Sequence, residues 1–145
     1  MKIVMQKVKR ASVEVESQEI ACIQSGICLL VGVEKGDTDE DARFLSDKIT
    51  GLRIFPDKDG KMNLSLQDVG GEVLAVSQFT LAGSVKKGRR PSFDNAEEPE
   101  KADKLFQALV RYIRDRGFSV STGRFRAVME VHLVNEGPVT FILSS

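Results

Sequence analysis

The sequence predicts an α+β fold, a mostly antiparallel, barrel-like β-sheet with two main helices packed against it. Three observations lead there. Short alternating or apolar segments recur near both ends of the chain. Only two stretches carry helical spacing. Strands and helices do not alternate in a regular βαβ rhythm.

The elements follow in order. Val13 and Val15 alternate with Ser12, Glu14 and Glu16, a half-buried strand. Ile20 to Gln24 and the apolar run from Gly26 to Val33 read as two more strands. Thr38 to about Leu52 reads as a helix, with Thr38 as cap and Asp41 three residues on. Asp39, Glu40 and Asp41 suit the positive end of its dipole, and Ala42, Leu45, Ile49 and Leu52 make its buried face. Leu52 to Phe55 turns extended, and Pro56 to Gly60 is a turn. That turn is no calcium loop, because Phe55 and Leu66 fall where oxygen ligands are needed.

Glu72 to Leu81 is the most strand-like segment, apolar on both faces and so expected to be covered on both sides. A long helix spans about Pro99 to Gly117, with Ala102, Leu105, Phe106, Leu109, Val110 and Ile113 as its buried stripe. Two final strands, about Arg126 to Val134 and Val139 to Leu143, flank a turn at Asn135-Glu136-Gly137-Pro138.

Length and charge bound the function. The 145 residues suit one domain, residues 1–145. Twenty-one basic and 21 acidic residues cancel, which excludes binding to nucleic acid or membrane by bulk charge alone. The lysine-bearing start lacks the apolar core of a signal peptide, and the run from Ile27 to Val33 is too short to cross a bilayer. The reading is a cytoplasmic protein without a membrane partner. Cys22 and Cys28 read as small buried hydrophobes. With one histidine and two cysteines, no structural zinc site, metal or cofactor is expected.

Hydrolase and nucleotide signatures fail. Gly83 to Arg90 has the glycine spacing of a phosphate loop, but Arg89 and Arg90 stand where Lys and Ser/Thr are required. Three features remain. Ser77, Gln78 and Thr80 interrupt an apolar strand on both faces, with Phe79 between them. They are either satisfied structurally or line a site, and pattern alone does not choose. Gly137-Pro138 reads as a hairpin turn, though proline also removes a donor and leaves nearby carbonyls free for a ligand. Lys86, Lys87, Arg89 and Arg90 concentrate charge in a neutral chain and, with Arg124 and Arg126, would hold a few phosphates. By strand parity His132 shares a face with Val128, Glu130 and Val134, a surface position.

Ser77-Gln78-Phe79-Thr80-Leu81 together with Asn135-Glu136-Gly137-Pro138-Val139-Thr140 resembles the D-aminoacyl-tRNA deacylase family, once called D-tyrosyl-tRNA deacylases. The likeness runs nearly end to end, through Arg10-Ala11-Ser12-Val13, Leu52-Arg53-Ile54-Phe55, Lys61-Met62-Asn63-Leu64, Gly88-Arg89-Arg90-Pro91-Ser92-Phe93 and Thr122-Gly123-Arg124-Phe125. The resemblance implies a homodimer that hydrolyses the ester of D-aminoacyl-tRNA, and of glycyl-tRNA mischarged on tRNA-Ala, while sparing L-aminoacyl-tRNA. It implies that Ser77, Gln78, Phe79 and Thr80 line the reacting ester. It implies that Gly137 and Pro138, with Met129 and Val139, bind the substrate and reject L side chains across the dimer. The basic residues Lys86, Lys87, Arg89 and Arg90 would then contact tRNA phosphates.

Thr80 is viewed as a nucleophile in that family. Here it has no evident base, so water attack with Thr80 positional is favoured. Lys7 stands where arginine is usual and lacks the planar fork. Arg126 and His132 replace small residues, and Glu136 replaces Asp. The competing readings are a non-catalytic nucleic-acid-binding dimer of the same fold and a purely structural dimer.

Overall fold

The computed structural model describes residues 1–86 and 88–145. Eight strands and two helices form in the order β1 (Lys2–Val15), β2 (Gln18–Ile23), β3 (Gly26–Gly32), α1 (Asp39–Gly51), β4 (Arg53–Pro56), β5 (Met62–Ser65), β6 (Glu72–Ser77), α2 (Pro99–Asp115), β7 (Val120–Thr122) and β8 (Glu130–Ser144). A short 3₁₀ turn, Phe79–Ala82, follows β6.

The main sheet runs β2-β1-β3-β6-β7, with β8 also paired to β1. The α+β class with a barrel-like sheet and two helices is therefore the architecture found. The sheet is more mixed than expected. β1 pairs antiparallel with β2, β3 and β8, but β3–β6 and β6–β7 are parallel. Parallel neighbours need crossovers, and α1 and α2 provide them. The path's two ends approach each other, the Ser121 hydroxyl of β7 donating to the Cys22 carbonyl of β2 at 3.4 Å. The small hairpin β4–β5 stands apart from this sheet.

β1 is long because it serves three neighbours. Its first half pairs with β3 (Lys2↔Gly32 to Val8↔Gly26) and its second with β2, while β8 lies along its other edge. At the β3–β6 pairing, Gly26 is opposite Glu72, and a Cβ there would sit 1.9 Å from the Glu72 carbonyl oxygen. Only glycine allows that approach.

Strand β6 is covered on both sides, as expected. Val73 and Ala75 join a core with the helices, built on Ile3, Met5, Leu29, Leu45, Phe106, Leu109 and Ile113. Leu74 and Val76 join a second core on the opposite face with Val8, Val13, Ile23 and Cys28. α2 buries the whole stripe read from the sequence, and α1 buries Ala42, Leu45 and Ile49, while Leu52 caps its end half-buried. Thr38 starts α1 with a capping box, its backbone N–H donating to Asp41 Oδ2 at 2.8 Å. That bond lowers the Asp41 carboxyl from its ordinary value.

Three expectations are corrected. The strand expected over Glu72 to Leu81 ends at Ser77, where the chain passes into the Phe79–Ala82 turn. Glu130–Ser144 is one strand along β1, not a pair of strands around a hairpin turn. Both halves find their partner in β1, so they have no need of each other. Cys22 is exposed and only Cys28 is buried, because β2 lies at an end of the main sheet. Burial pushes the Cys28 thiol up to about 11.

Candidate active site

Residues Ser77 to Thr80 sit where β6 leaves the sheet. Gln78 N–H donates to the Val31 carbonyl at 2.7 Å, the last anchor before the chain turns. Leu81 N–H then donates to the Gln78 carbonyl at 3.1 Å and Gly83 N–H to the Thr80 carbonyl at 3.0 Å, which shapes the 3₁₀ turn. Phe79 and Thr80 open that turn, so no carbonyl within it reaches their N–H groups. Among the described residues no backbone acceptor takes them up. Thr80 Oγ1 accepts from the Gln78 side-chain amide, so its partner is an amide and not a base.

A cleft of about 610 Å³ lies beside this segment. Ser77, Gln78 and Phe79 form one wall, and Ala96, Glu97 and Pro99 a second. Phe125 to Met129 form the third. Each wall has a cause in the fold. The Glu97 N–H donates to the Val33 carbonyl at 3.1 Å and the Lys35 N–H to the Asn95 carbonyl at 2.9 Å, pinning segment 95–97 to the end of β3. Gly123 N–H donates to the Ala75 carbonyl at 3.0 Å, which carries the chain from β7 across the end of β6. The cleft thus opens at the carboxyl ends of the parallel strands β6 and β7, the usual place for a ligand beside parallel strands. The N-terminus of α2 also reaches it through Pro99.

The Glu97 carboxylate is held below its usual range, first by Lys101, whose Nζ lies 2.7 Å away, and then by the Glu98 N–H. It enters the cleft wall as one half of an ion pair. Phe79 is 60% exposed, and its ring lies 5.1 Å from that of Phe93, which ties the turn to the loop that follows. That loop closes on the Ser84↔Ser92 bridge and carries Lys86, Arg89 and Arg90, all exposed. Lys87 lies outside the described residues.

Gly137 and Pro138 project from β8 elsewhere. The β1–β8 register passes from Val8↔Asn135 to Gln6↔Thr140, so Glu136 to Val139 bulge out opposite Lys7 alone. The Gly137-Pro138 peptide is cis. Gly137 has φ +134°, and a Cβ there would lie 2.7 Å from Val139 Cγ2, so the position demands glycine. Asn135 braces the bulge, Oδ1 accepting from the Val139 N–H at 2.9 Å and Nδ2 donating to Thr140 Oγ1 at 3.0 Å. Buried Lys7 faces Glu136 at 3.6 Å. Both Gly137 and Pro138 are exposed, and neither lines the cleft of their own chain. The Val139 side chain is buried in the core, whereas Met129 lies on the cleft wall.

The structure therefore brings Ser77, Gln78, Phe79 and Met129 together on the cleft wall, with Thr80 next in the chain but off that wall, and leaves Gly137-Pro138 outside. His132 does not line this cleft, although its neighbour Val131 does. It is 55% exposed, 3.7 Å from Glu14 and 3.8 Å from Glu130, and lines a separate groove on the outer face of β1, β2 and β8. The sequence reading missed Glu97, Phe125 and Ala127 as wall residues, since neither their types nor their spacing signals chemistry. Arg126 was read as a helper of the basic loop and as a replacement for a small residue, and it lines the cleft itself.

The sequence and the fold have counterparts. The family model for D-Tyr-tRNA(Tyr) deacylase matches residues 4–144, and the chain belongs to that family. It is 55% identical over 145 residues to the D-aminoacyl-tRNA deacylase of Geobacter sulfurreducens, covering all of this chain and 95% of that one. The corresponding protein of Thermotoga petrophila is 52% identical, with coverage of 100% and 97%. Among solved structures, a c-Myc DNA unwinding element binding protein superposes with a TM-score of 0.93 at 40% identity, covering 100% and 99%. A probable eukaryotic D-amino acid tRNA deacylase gives 0.85 at 18% identity with coverage of 99% and 98%, a likeness of fold.

Proposed function

We propose that residues 1–145 act as a single unit that hydrolyses the ester of D-aminoacyl-tRNA to a free D-amino acid and tRNA, and that spares the L-ester. The observation that carries this reading is the Phe79-Thr80 turn. Among the described residues it offers two backbone N–H groups without a backbone acceptor, beginning at Phe79 on the cleft wall, in a chain belonging to the deacylase family. Attack on an ester carbonyl develops charge on its oxygen, and preorganised N–H donors stabilise that charge. Water is the attacking species. Thr80 Oγ1 is already engaged by the Gln78 amide, and the chain's one histidine lines another groove. Thr80 and Gln78 position the ester, and the ester bond breaks with the proton passing to the departing ribose oxygen.

Chirality is read by a second copy of the chain. The exposed Gly137-Pro138 bulge of one protomer enters its partner's cleft, where its backbone carbonyls hold the substrate ammonium and a rigid wall excludes L side chains. Three directions around Cα, those of the ester, the ammonium and the wall, suffice to separate mirror images. Glycine has no side chain to exclude, so glycyl-tRNA is also cleaved. Support for pairing comes from the exposed apolar residues of β8 flanking the bulge, Val134, Phe141 and Ile142. Met129 shapes the cleft wall, and Val139 supports the bulge from the core. Lys86, Lys87, Arg89 and Arg90 meet the tRNA backbone, and cytoplasmic translation supplies the substrate.

A non-catalytic nucleic-acid-binding dimer is the second reading, favoured by the name of the DNA unwinding element binding protein that shares this fold. Incubating the protein with D- and L-tyrosyl-tRNA separates them. Rapid loss of the D-ester alone supports the hydrolase. Binding of both without turnover supports the module and overturns the proposal.

A further inference from the structure

Arg126 occupies an unusual backbone position. The Ala127 N–H donates to the Arg124 carbonyl at 3.2 Å, closing a four-residue turn with Arg126 third, and Arg126 has φ +61°. Turns with a positive φ at that place normally carry glycine or asparagine. Few long side chains adopt it, and such outliers gather where a site needs them. Arg126 is exposed and forms part of the cleft wall. Among the described residues no carboxylate pairs with it. The acid facing the same cleft, Glu97, is already taken by Lys101. The positive end of the α2 dipole adds to the field there.

We infer that Arg126 is a specificity residue that grips a phosphodiester of the RNA strand whose 3′ ester lies against the Phe79-Thr80 turn. This rests on the proposed hydrolase. An aminoacylated terminal nucleoside carries an ammonium but no anion, and the nearest anion is the phosphate on its 5′ side. The cleft, at about 610 Å³, exceeds an aminoacyl group and has room for that nucleotide. A guanidinium fork matches phosphate geometry. Arg126 thereby distinguishes an RNA-borne ester from a free aminoacyl ester.

The test uses the full chain as wild type, Arg126→Gln and Arg126→Lys, with D-tyrosyl-tRNA and phosphate-free D-tyrosyl-adenosine as substrates. Binding of a short uncharged RNA ending in the tRNA 3′ sequence is measured over a salt series. For Arg126→Gln, KM for the tRNA ester rises about tenfold more than KM for the adenosine ester, the loss expected of one charge-assisted contact. The slope of log K against log salt falls by about 0.7. Arg126→Lys recovers part of the affinity. Equal losses on both substrates, or an unchanged salt slope, overturn the inference. If the wild type spares D-tyrosyl-tRNA, the hydrolase reading fails. The RNA salt slope then still decides the phosphate contact by itself.

Discussion

The side chain of Asn135 bridges the bulge that carries Gly137-Pro138, its Oδ1 accepting the Val139 N–H at 2.9 Å. The same amide donates to Thr140 Oγ1, which also accepts from Gln6 Nε2 at 3.2 Å on β1. One side chain thus replaces the ladder bonds that the bulge gives up. Asn135→Ala is expected to cost about 1 kcal/mol in urea unfolding, the loss of one partly buried and one exposed hydrogen bond. If the bulge is the chiral wall, the same variant also lowers the ratio of D- to L-tyrosyl-tRNA cleavage. Asn135→Asp keeps the acceptor and restores part of both.

Thr80 offers a direct test of how the ester is attacked. With its hydroxyl bound to Gln78 and no base beside it, Thr80→Ala should keep most of the single-turnover rate on D-tyrosyl-tRNA. A nucleophile would lose several orders of magnitude. Rapid-quench measurement at saturating enzyme distinguishes the two.

The capping box of α1 makes stability depend on acid. The Asp41 carboxyl lies below its ordinary value because it accepts from the Thr38 N–H and hydroxyl. A carboxyl depressed on folding stabilises the native state above its unfolded pKa, and that contribution fades as pH falls through the folded value. The gap in urea midpoint between wild type and Asp41→Ala should be full at neutral pH. It should close progressively below the ordinary carboxylate range.

The two thiols should behave differently. Cys28 is buried with its thiol pushed up to about 11, and Cys22 is exposed. Glu19 raises Cys22 first, and burial adds to this, so its labelling by an alkylating reagent is slow at neutral pH and faster in mild alkali. Mass spectrometry should find one label per native chain, at Cys22, and none in Cys22→Ser. A second label appears only on unfolding.

Much of this architecture could be read from periodicity. The stripe of α2 and the two-faced burial of β6 are local patterns, and packing against both cores reinforces them. The polar Ser77-Gln78-Thr80 group stood out against an apolar run, but its pattern did not show that the strand ends at Ser77 and that Gln78 and Thr80 belong to the turn after it. Other features depended on distant partners. Asn135 to Pro138 has turn chemistry, yet β1 holds both flanks in one strand, and only the long-range pairing reveals a bulge. The early part of β1 was obscured because Lys7, Lys9 and Arg10 break its alternation around a register shift. The cleft wall at Ala96 and Glu97 arises from hydrogen bonds to residues some 60 positions earlier, which no local pattern encodes.

The central claim is that one protomer's Gly137-Pro138 bulge completes its neighbour's cleft. Two damaged chains test it. Phe79→Pro removes one oxyanion donor at the first position of a turn, where the lost N–H breaks no backbone hydrogen bond among the described residues. Gly137→Ala distorts the bulge through its φ of +134° and a Cβ clash with Val139. Each variant alone should cleave D-tyrosyl-tRNA poorly as a folded dimer. After unfolding and joint refolding, mixed dimers carry one intact composite site, and activity should recover to about a quarter of wild type. A mixture no more active than the average of its two parents would contradict a site shared between protomers.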